Sequence, residues 1–345
     1  LDVGRLFLAE KFEYWMGDCR AEKLQATNNK QAGYLVAKEQ DTPMSLLITG
    51  AFSSLNRGDA ARVRCSIALI RDAIPCACFS FLTPHPDIDK IIYADIGLKM
   101  IDREKYARPF EHSRLFGFAK ATELLLVILG TVLWRISGGL VRTFRVKEFL
   151  QYDMFVDLSG ESLTDYYGYI SLARCLYPIL VGLMLRKAVV IYGQSIGPVR
   201  HVLWQLILRS VLNRVNMIIT RDEYSIRLLE EYKIDSPEVH LSADPAFMLR
   251  PVSLNRVEQI LRVEGIDLGN PGRLQRPIIG VSLSRGAHKH AISGDSCLEE
   301  KYQRFIRVAA DTFDALSEQM GAEIVFIPHV IASAQDDRAT ADSII

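Results

Sequence analysis

The sequence predicts an α/β fold built on parallel sheet, and three features carry that expectation. Short apolar runs of strand length recur, among them Ser45–Gly50, Met154–Leu158, Ala188–Tyr192 and Met217–Thr220. Between them lie stretches with apolar residues at helical spacing, such as Asp59–Ala73, Tyr169–Met184 and Glu223–Tyr232. Several of the loops that join strand to helix carry glycine or proline. Strands and helices alternating at this spacing form a parallel sheet wound with helices on both faces.

In chain order, residues 1–43 show little hydrophobic rhythm and read as an N-terminal extension ending at Pro43. A first domain, 44–264, opens with the strand Ser45–Gly50 and the helix Asp59–Ala73, whose apolar positions include Ala60, Val63, Ile67 and Ile70. Strands are expected at Ala77–Leu82 and Lys90–Ile96, followed by a long apolar helix. The strand Met154–Leu158, the helix Tyr169–Met184, the strand Ala188–Tyr192 and the helix His201–Asn213 come next. Met217–Thr220, Glu223–Tyr232 and Val239–Ser242 repeat the pattern, and Asn255–Val263 is a further helix. The Gly/Asn/Pro-rich stretch Gly265–Gly272 marks the domain boundary. A second α/β domain, 265–345, begins at Ile278–Leu283 and continues through the helix Tyr302–Met320 and the strand Glu323–Ile327. Two strands are too few to shield both faces of a parallel sheet, so this domain is expected to be partial and the chain to continue past Ile345.

The 345 residues hold 41 Lys plus Arg and 41 Asp plus Glu, for a formal net charge of zero, which argues against a nucleic-acid partner. Six scattered cysteines without paired CxxC units read as small buried thiols in a reducing, cytoplasmic compartment. No secretory signal is read in Leu1–Gln40, which is mixed and charged. Leu124–Val141 is strongly apolar, yet Arg135 interrupts it and the uninterrupted part falls short of the ~20 residues of a membrane span. It reads as a buried or interfacial helix. Arg114, Lys120, Arg135, Arg142, Arg145 and Lys147 flank it, so peripheral docking through 120–147 on the inner face of a membrane is an open expectation.

Ligands of wound sheets sit at the carboxyl ends of the strands, where four segments qualify. The first, Gly50–Asp59, offers glycine and free helix-start amides for an anion, with Asn56 or Asp59 as helix cap; it reads equally as an ordinary capped connection. Neither a Walker lysine loop nor GxGxxG is present there. The second is Gly193-Gln194-Ser195-Ile196-Gly197-Pro198, a stiff loop with Pro198 suited to the first position of the next helix. In the third, Thr220-Arg221-Asp222, the Arg221 fork suits a carboxylate or phosphate; its alternative is an ion pair with Asp222 or Glu223. The fourth is Asp244-Pro245-Ala246-Phe247, where Asp244 also fits a turn or cap. His288 and His290 flank Lys289 in a polar loop, and no metal site is expected there.

The order of these segments resembles the polysaccharide pyruvyl transferase family. The matching residues are Asn56-Arg57-Gly58-Asp59, Gly193–Pro198, Arg221-Asp222-Glu223-Tyr224-Ser225 and Asp244–Phe247. Ser159-Gly160-Glu161-Ser162-Leu163 is similar to the family's glycine-rich turn, with Glu161 where a second glycine is usual. Ile278–Ser284 and Val325–His329, with Asp336-Asp337, are similar to the opening of the family's second domain. The family's C-terminal arginine-x-histidine segment has no counterpart here. The resemblance implies two Rossmann-like domains in the manner of GT-B glycosyltransferases, the second one incomplete. It further implies transfer of the enolpyruvyl portion of phosphoenolpyruvate to a sugar or lipid-linked oligosaccharide, forming a pyruvate ketal.

Phosphoenolpyruvate carries a carboxylate and a phosphate, so Arg221 and Arg285 are the expected donor-binding cations. Asn56, Arg57, Gly58, Gly193, Gln194, Ser195, Gly197 and Ser225 are expected to line the substrate site. Ketal formation needs an acid for the enol methylene and a base for the sugar hydroxyl, for which His329, Asp59 and Asp244 are available. No cofactor is expected beyond the donor substrate. Two other readings stand beside this one: a nucleotide-sugar glycosyltransferase of the same architecture, and an inactive relative that binds polysaccharide or scaffolds a membrane assembly. Protection by phosphoenolpyruvate or by a sugar nucleotide separates the first two.

Overall fold

Three successive apolar residues with no exposed surface, Leu46, Leu47 and Ile48, place β1 (Ser45–Thr49) at the heart of the sheet. The computed structural model describes residues 43–105, 115–266, 277–287, 297–332 and 336–345. Residues 1–42 of the expected extension 1–43, Arg114, most of the turn after Gly265, and His288 and His290 lie outside those residues.

Seven parallel strands form the main sheet in the order β3-β2-β1-β4-β5-β6-β7. They are β1, β2 (Cys78–Thr83), β3 (Lys99–Asp102), β4 (Met154–Asp157), β5 (Ala188–Gln194), β6 (Met217–Thr220) and β7 (Glu238–Leu241). Helices α1 (Arg57–Ala73), α2 (Pro86–Ile92), α3 (Phe116–Ile136), α4 (Phe144–Leu150), α5 (Tyr169–Met184), α6 (Val202–Leu212) and α7 (Glu223–Glu231) connect them. The two-residue period of β1 divides the core. Leu46 and Ile48 pack with Val63, Ile67 and Ile70 of α1, whereas Leu47 belongs with Leu172, Leu176 and Ile179 of α5 and Leu208 of α6. Helices on both faces of an all-parallel sheet are the doubly wound, Rossmann-like arrangement that the alternating pattern predicts.

The expected strand Lys90–Ile96 is instead α2 followed by a 3-10 turn at Ala94–Ile96, and the strand comes later, at Lys99–Asp102. Pro86 starts the helix and Asp87 and Asp89 favour its first turn. Asp89 is fully buried and accepts hydrogen bonds from the Ser54 amide (2.8 Å) and the Ser53 and Ser54 hydroxyls (2.9 and 2.5 Å), which anchors α2 beneath the β1 loop. The long apolar helix also ends earlier than its composition suggests. It stops at Ile136, before Gly138 and Gly139, both at positive φ.

Residues group into two units, one running up to Ser54 and over Asp59–Met248, the other comprising Leu55–Gly58 and Leu249–Ile345. The second unit contains α8 (Leu254–Val263), α9 (Leu298–Met320) and α10 (Asp337–Asp342) with a parallel strand pair, β8 (Ile278–Val281) and β9 (Glu323–Phe326). Phe313 of α9 meets Phe326 of β9 edge to face at 5.6 Å, fastening helix to sheet.

Candidate functional site

The strand order turns at the β1–β4 pair: β2 and β3 lie on one side, β5 to β7 on the other. Loops leaving the carboxyl ends of such a pair diverge and open a crevice. Asp157, the last residue of β4, is wholly buried there. It accepts from the Ser159 hydroxyl (2.5 Å), the Ser159 amide (3.3 Å) and the Thr49 hydroxyl (3.3 Å). Burial pushes its carboxyl up to about 6; those hydrogen bonds and Arg62 oppose the rise. The Gln194 amide, buried at the end of β5, donates to the Ser159 hydroxyl at 2.9 Å. Gly50 follows β1 at φ +83°, and a Cβ there would lie 2.3 Å from Asp157 Oδ1. Only glycine fits that turn.

One turn into α1, Arg62 forms an ion pair with Asp59 and donates to the Leu158 carbonyl at 3.0 Å. The second Asp59 oxygen accepts from the Phe52 amide at 2.9 Å. Both carboxylate oxygens of Asp59 are therefore engaged within the strand–helix connection. Of the two capping candidates, Asn56 holds the helix start, its side-chain oxygen accepting from the Gly58 amide at 2.9 Å. Gly160 is the floor beneath the Arg62 guanidinium, since a Cβ at that residue would meet Nη1 at 2.0 Å.

Past the end of β6, Arg221 gathers the second half of the site. Its Nε donates to the Ser195 hydroxyl at 2.8 Å, its Nη1 pairs with Asp244, and Glu161 approaches its Nη2 at 3.7 Å. The expected alternative, pairing with Asp222 or Glu223, is not what forms. Asp222 is the N-cap of α7, accepting from the Ser225 amide at 2.8 Å and from the Ser195 hydroxyl at 2.5 Å. Burial alone would raise its carboxyl, but these bonds and Arg221 hold it below the usual carboxylate range. Ser225 is fully buried, and its hydroxyl accepts from the Ile196 amide at 2.7 Å, tying α7 to the loop after β5. That loop leaves its strand through a bulge between Tyr192 and Gln194, with Gly193 at φ +63°. Gly193 lies against Pro245 and Gly197 against Thr164, where a Cβ would fall 2.7 Å from each neighbour. Pro198 does not begin a helix: α6 starts at Val202 behind the His201 cap, and the Pro198 carbonyl accepts from the Thr164 hydroxyl at 2.9 Å.

Within the second unit, Asp337 is the organising group. It is buried and accepts from the Arg285 amide (3.0 Å), the His329 amide (3.1 Å) and the Val330 amide (2.7 Å). The loops that follow β8 and β9 are thereby brought to one carboxylate. The Arg285 guanidinium lies over the Tyr302 ring at 5.9 Å. The Arg57 amide donates to the His329 carbonyl at 3.0 Å, and a Cβ on Gly58 would sit 3.1 Å from His329 Nε2.

The structure thus joins Gly193, Gln194, Ser195, Gly197, Arg221, Ser225 and Asp244 along the ends of β5 and β6. It puts Asp59 with Arg62 at the end of β1, and Asn56, Arg57, Gly58, Arg285 and His329 in the second unit. Arg62, Asp157 and Asp337 were not singled out as site residues by sequence. Their signal is a charged residue on an apolar helix face or at the end of an apolar strand, which marks a buried partner without naming it. Among the described residues no group of three His, Cys, Asp or Glu side chains gathers as a metal centre.

A family model described as polysaccharide pyruvyl transferase matches residues 56–344. The amylovoran biosynthesis protein AmsJ of Erwinia amylovora is 28% identical over 127 residues, which are 34% of this chain and 30% of that protein. The chain therefore matches less than a third of this curated relative's length. The family match runs through every segment assembled above from Asn56 to Asp337, and the chain belongs to the polysaccharide pyruvyl transferase family.

Proposed function

We propose that this chain catalyses pyruvyl transfer from phosphoenolpyruvate to a saccharide of a cell-surface polysaccharide or its lipid-linked precursor. The observation that carries the reading is the Arg221 cluster. A guanidinium held by Ser195, Asp244 and Glu161 at the carboxyl end of a parallel strand is suited to exchange carboxylate partners for a substrate anion. Family membership supports the transferase chemistry, and the relative named for amylovoran biosynthesis supports a polysaccharide acceptor.

In the reaction so assigned, a proton adds to the methylene carbon of phosphoenolpyruvate and two sugar hydroxyls bond to its second carbon. The carbon–oxygen bond to phosphate breaks, and inorganic phosphate leaves with one of the two hydroxyl protons. The other hydroxyl proton balances the one delivered to the methyl group. Arg221 is the candidate for a donor anion in the first unit, and Arg285 the candidate in the second. His329 is assigned as acid and Asp244, once released from Arg221, as base; each carboxylate has both oxygens engaged, and Asp59 keeps a positioning role because it is the more closed off, 9% exposed against 18% for Asp244. The participation of Arg285 and His329 in the same reaction rests on the family match.

Phosphate release from phosphoenolpyruvate in the presence of a saccharide acceptor is the direct assay. Arg221→Ala is expected to cut kcat/KM roughly 10²–10³-fold. Protection of the protein by a sugar nucleotide, with none by phosphoenolpyruvate, would overturn the assignment in favour of glycosyl transfer.

A further inference from the structure

Helix α3 has two apolar faces, and only one is buried. Glu123, Val127, Gly130 and Thr131 turn inward; Gly130 lies against Thr143, and Glu123 pairs with Arg145 at 2.5 Å. The other face carries Phe118, Leu125, Leu126, Leu129, Leu133 and Ile136, each about half exposed or more, at spacings of one helical side. Leu140, 88% exposed, and Phe144 continue the patch past the helix end. A core helix of this composition would be mostly buried, whereas only 22% of the Gly117–Ile136 window is. An apolar face of this length on a soluble fold marks an interaction surface.

Charge decides which surface. Between Leu115 and Lys147 the sole acidic residue is Glu123, which is buried and paired. Arg135, Arg142 and Lys147 are exposed around the patch, and Lys105 lies over the Phe144 ring at 4.6 Å. Lys120 is paired with Glu104 at 2.8 Å, and Arg145 is buried between Glu123 and Glu148, so neither adds to the external field. Among the described residues from 115 to 147 the exposed charges are all cations, and an apolar face so rimmed matches a bilayer of anionic lipid. Because the inward face is held by the Glu123–Arg145 pair and by buried Val127 and Thr131, α3 lies along the fold and does not stand free to cross a membrane. We propose that α3 and the turn to Phe144 dock this chain on an anionic membrane surface, the helix axis in the plane of the interface. This docking is independent of the pyruvyl-transfer reading.

The test is co-sedimentation of the full chain with vesicles of phosphatidylcholine alone or mixed with phosphatidylglycerol, alongside light scattering without lipid. The wild-type chain should bind the anionic vesicles. The double variant Leu126→Asp, Leu129→Asp should lose that binding by roughly 100-fold, since each leucine forgoes its apolar transfer. Arg135→Glu with Arg142→Glu should lose it by roughly tenfold or more. Circular dichroism checks that the variants fold, and activity on a water-soluble acceptor should be unchanged. Equal binding by wild type and the leucine variant overturns the proposal. So does a chain that ignores vesicles but forms a dimer which the leucine variant dissolves, because the occupant is then a second copy.

Discussion

Two arginine–aspartate pairs sit at the carboxyl edge of the main sheet, and they are built differently. Arg62 and Asp59 are nearly closed off, with side chains 11% and 9% exposed, and each spends its remaining bonds on backbone: Leu158 for the arginine, Phe52 for the aspartate. Arg221 and Asp244 keep about twice that exposure, 20% and 18%, and the arginine faces a second carboxylate in the exposed Glu161. A pair with both carboxylate oxygens engaged and little access to water is a rivet. A pair with surplus acceptors on one side and access to water can change partners without unfolding anything. The same two residue types therefore make a closed pair at one strand end and, three strands along the sheet, a more open pair that suits the proposed binding role.

Breaking the pairs separately is the sharpest way to test that contrast. Arg62→Ala strands Asp59 in a buried site and should cost about 3–5 kcal/mol of unfolding free energy, seen as a lowered denaturant midpoint. Arg221→Ala should leave that midpoint within about 1 kcal/mol of wild type while abolishing most turnover. If instead Arg221→Ala destabilises as strongly as Arg62→Ala, the two pairs are alike and the distinction drawn here is wrong.

Asp157, between them, offers a pH test. Its carboxyl sits near 6 in the folded chain against 3.8 ordinarily, so the folded state keeps a proton that the unfolded state has already released. Stability should consequently fall as pH rises from about 4 to about 6 and level off above, by about 2–3 kcal/mol in total. Asp157→Asn should flatten that segment of the stability curve, which urea titrations at several pH values will reveal. The smallest expected effect is Ser225→Ala. Loss of the hydroxyl that accepts from the Ile196 amide should cost about 1–2 kcal/mol and loosen the loop carrying Ser195, raising KM more than it lowers kcat.

Most of the sheet was legible from composition alone because buried parallel strands are runs of apolar residues, and Met217–Thr220 is a clean instance. The error at Lys90–Ile96 arose where Ile91, Ile92 and Tyr93 mimic a strand while Pro86 and Asp87, the true signals, open a helix. Glycines at Gly193 and Gly197 and the lone Arg221 were readable because loops announce themselves in residue type. Arg62 was not: the carbonyl it serves, Leu158, is 96 residues away, and no local pattern encodes so distant a partner. Asp337 is legible as a motif residue but not as the group that holds the Arg285 and His329 amides, for the same reason.

The bulge in β5 has a consequence for how this sheet edge could have arisen or could be altered. Tyr192 pairs with Ile219 and Gln194 with Thr220, so Gly193 is one residue more than the ladder requires. A chain lacking it would have the more regular strand, with Gln194 and everything behind it slipped by one place. Ser195 would then no longer meet Arg221, nor Gln194 meet Ser159. At this spot regularity and chemistry are competing outcomes, and a sheet optimised only for pairing would have no site.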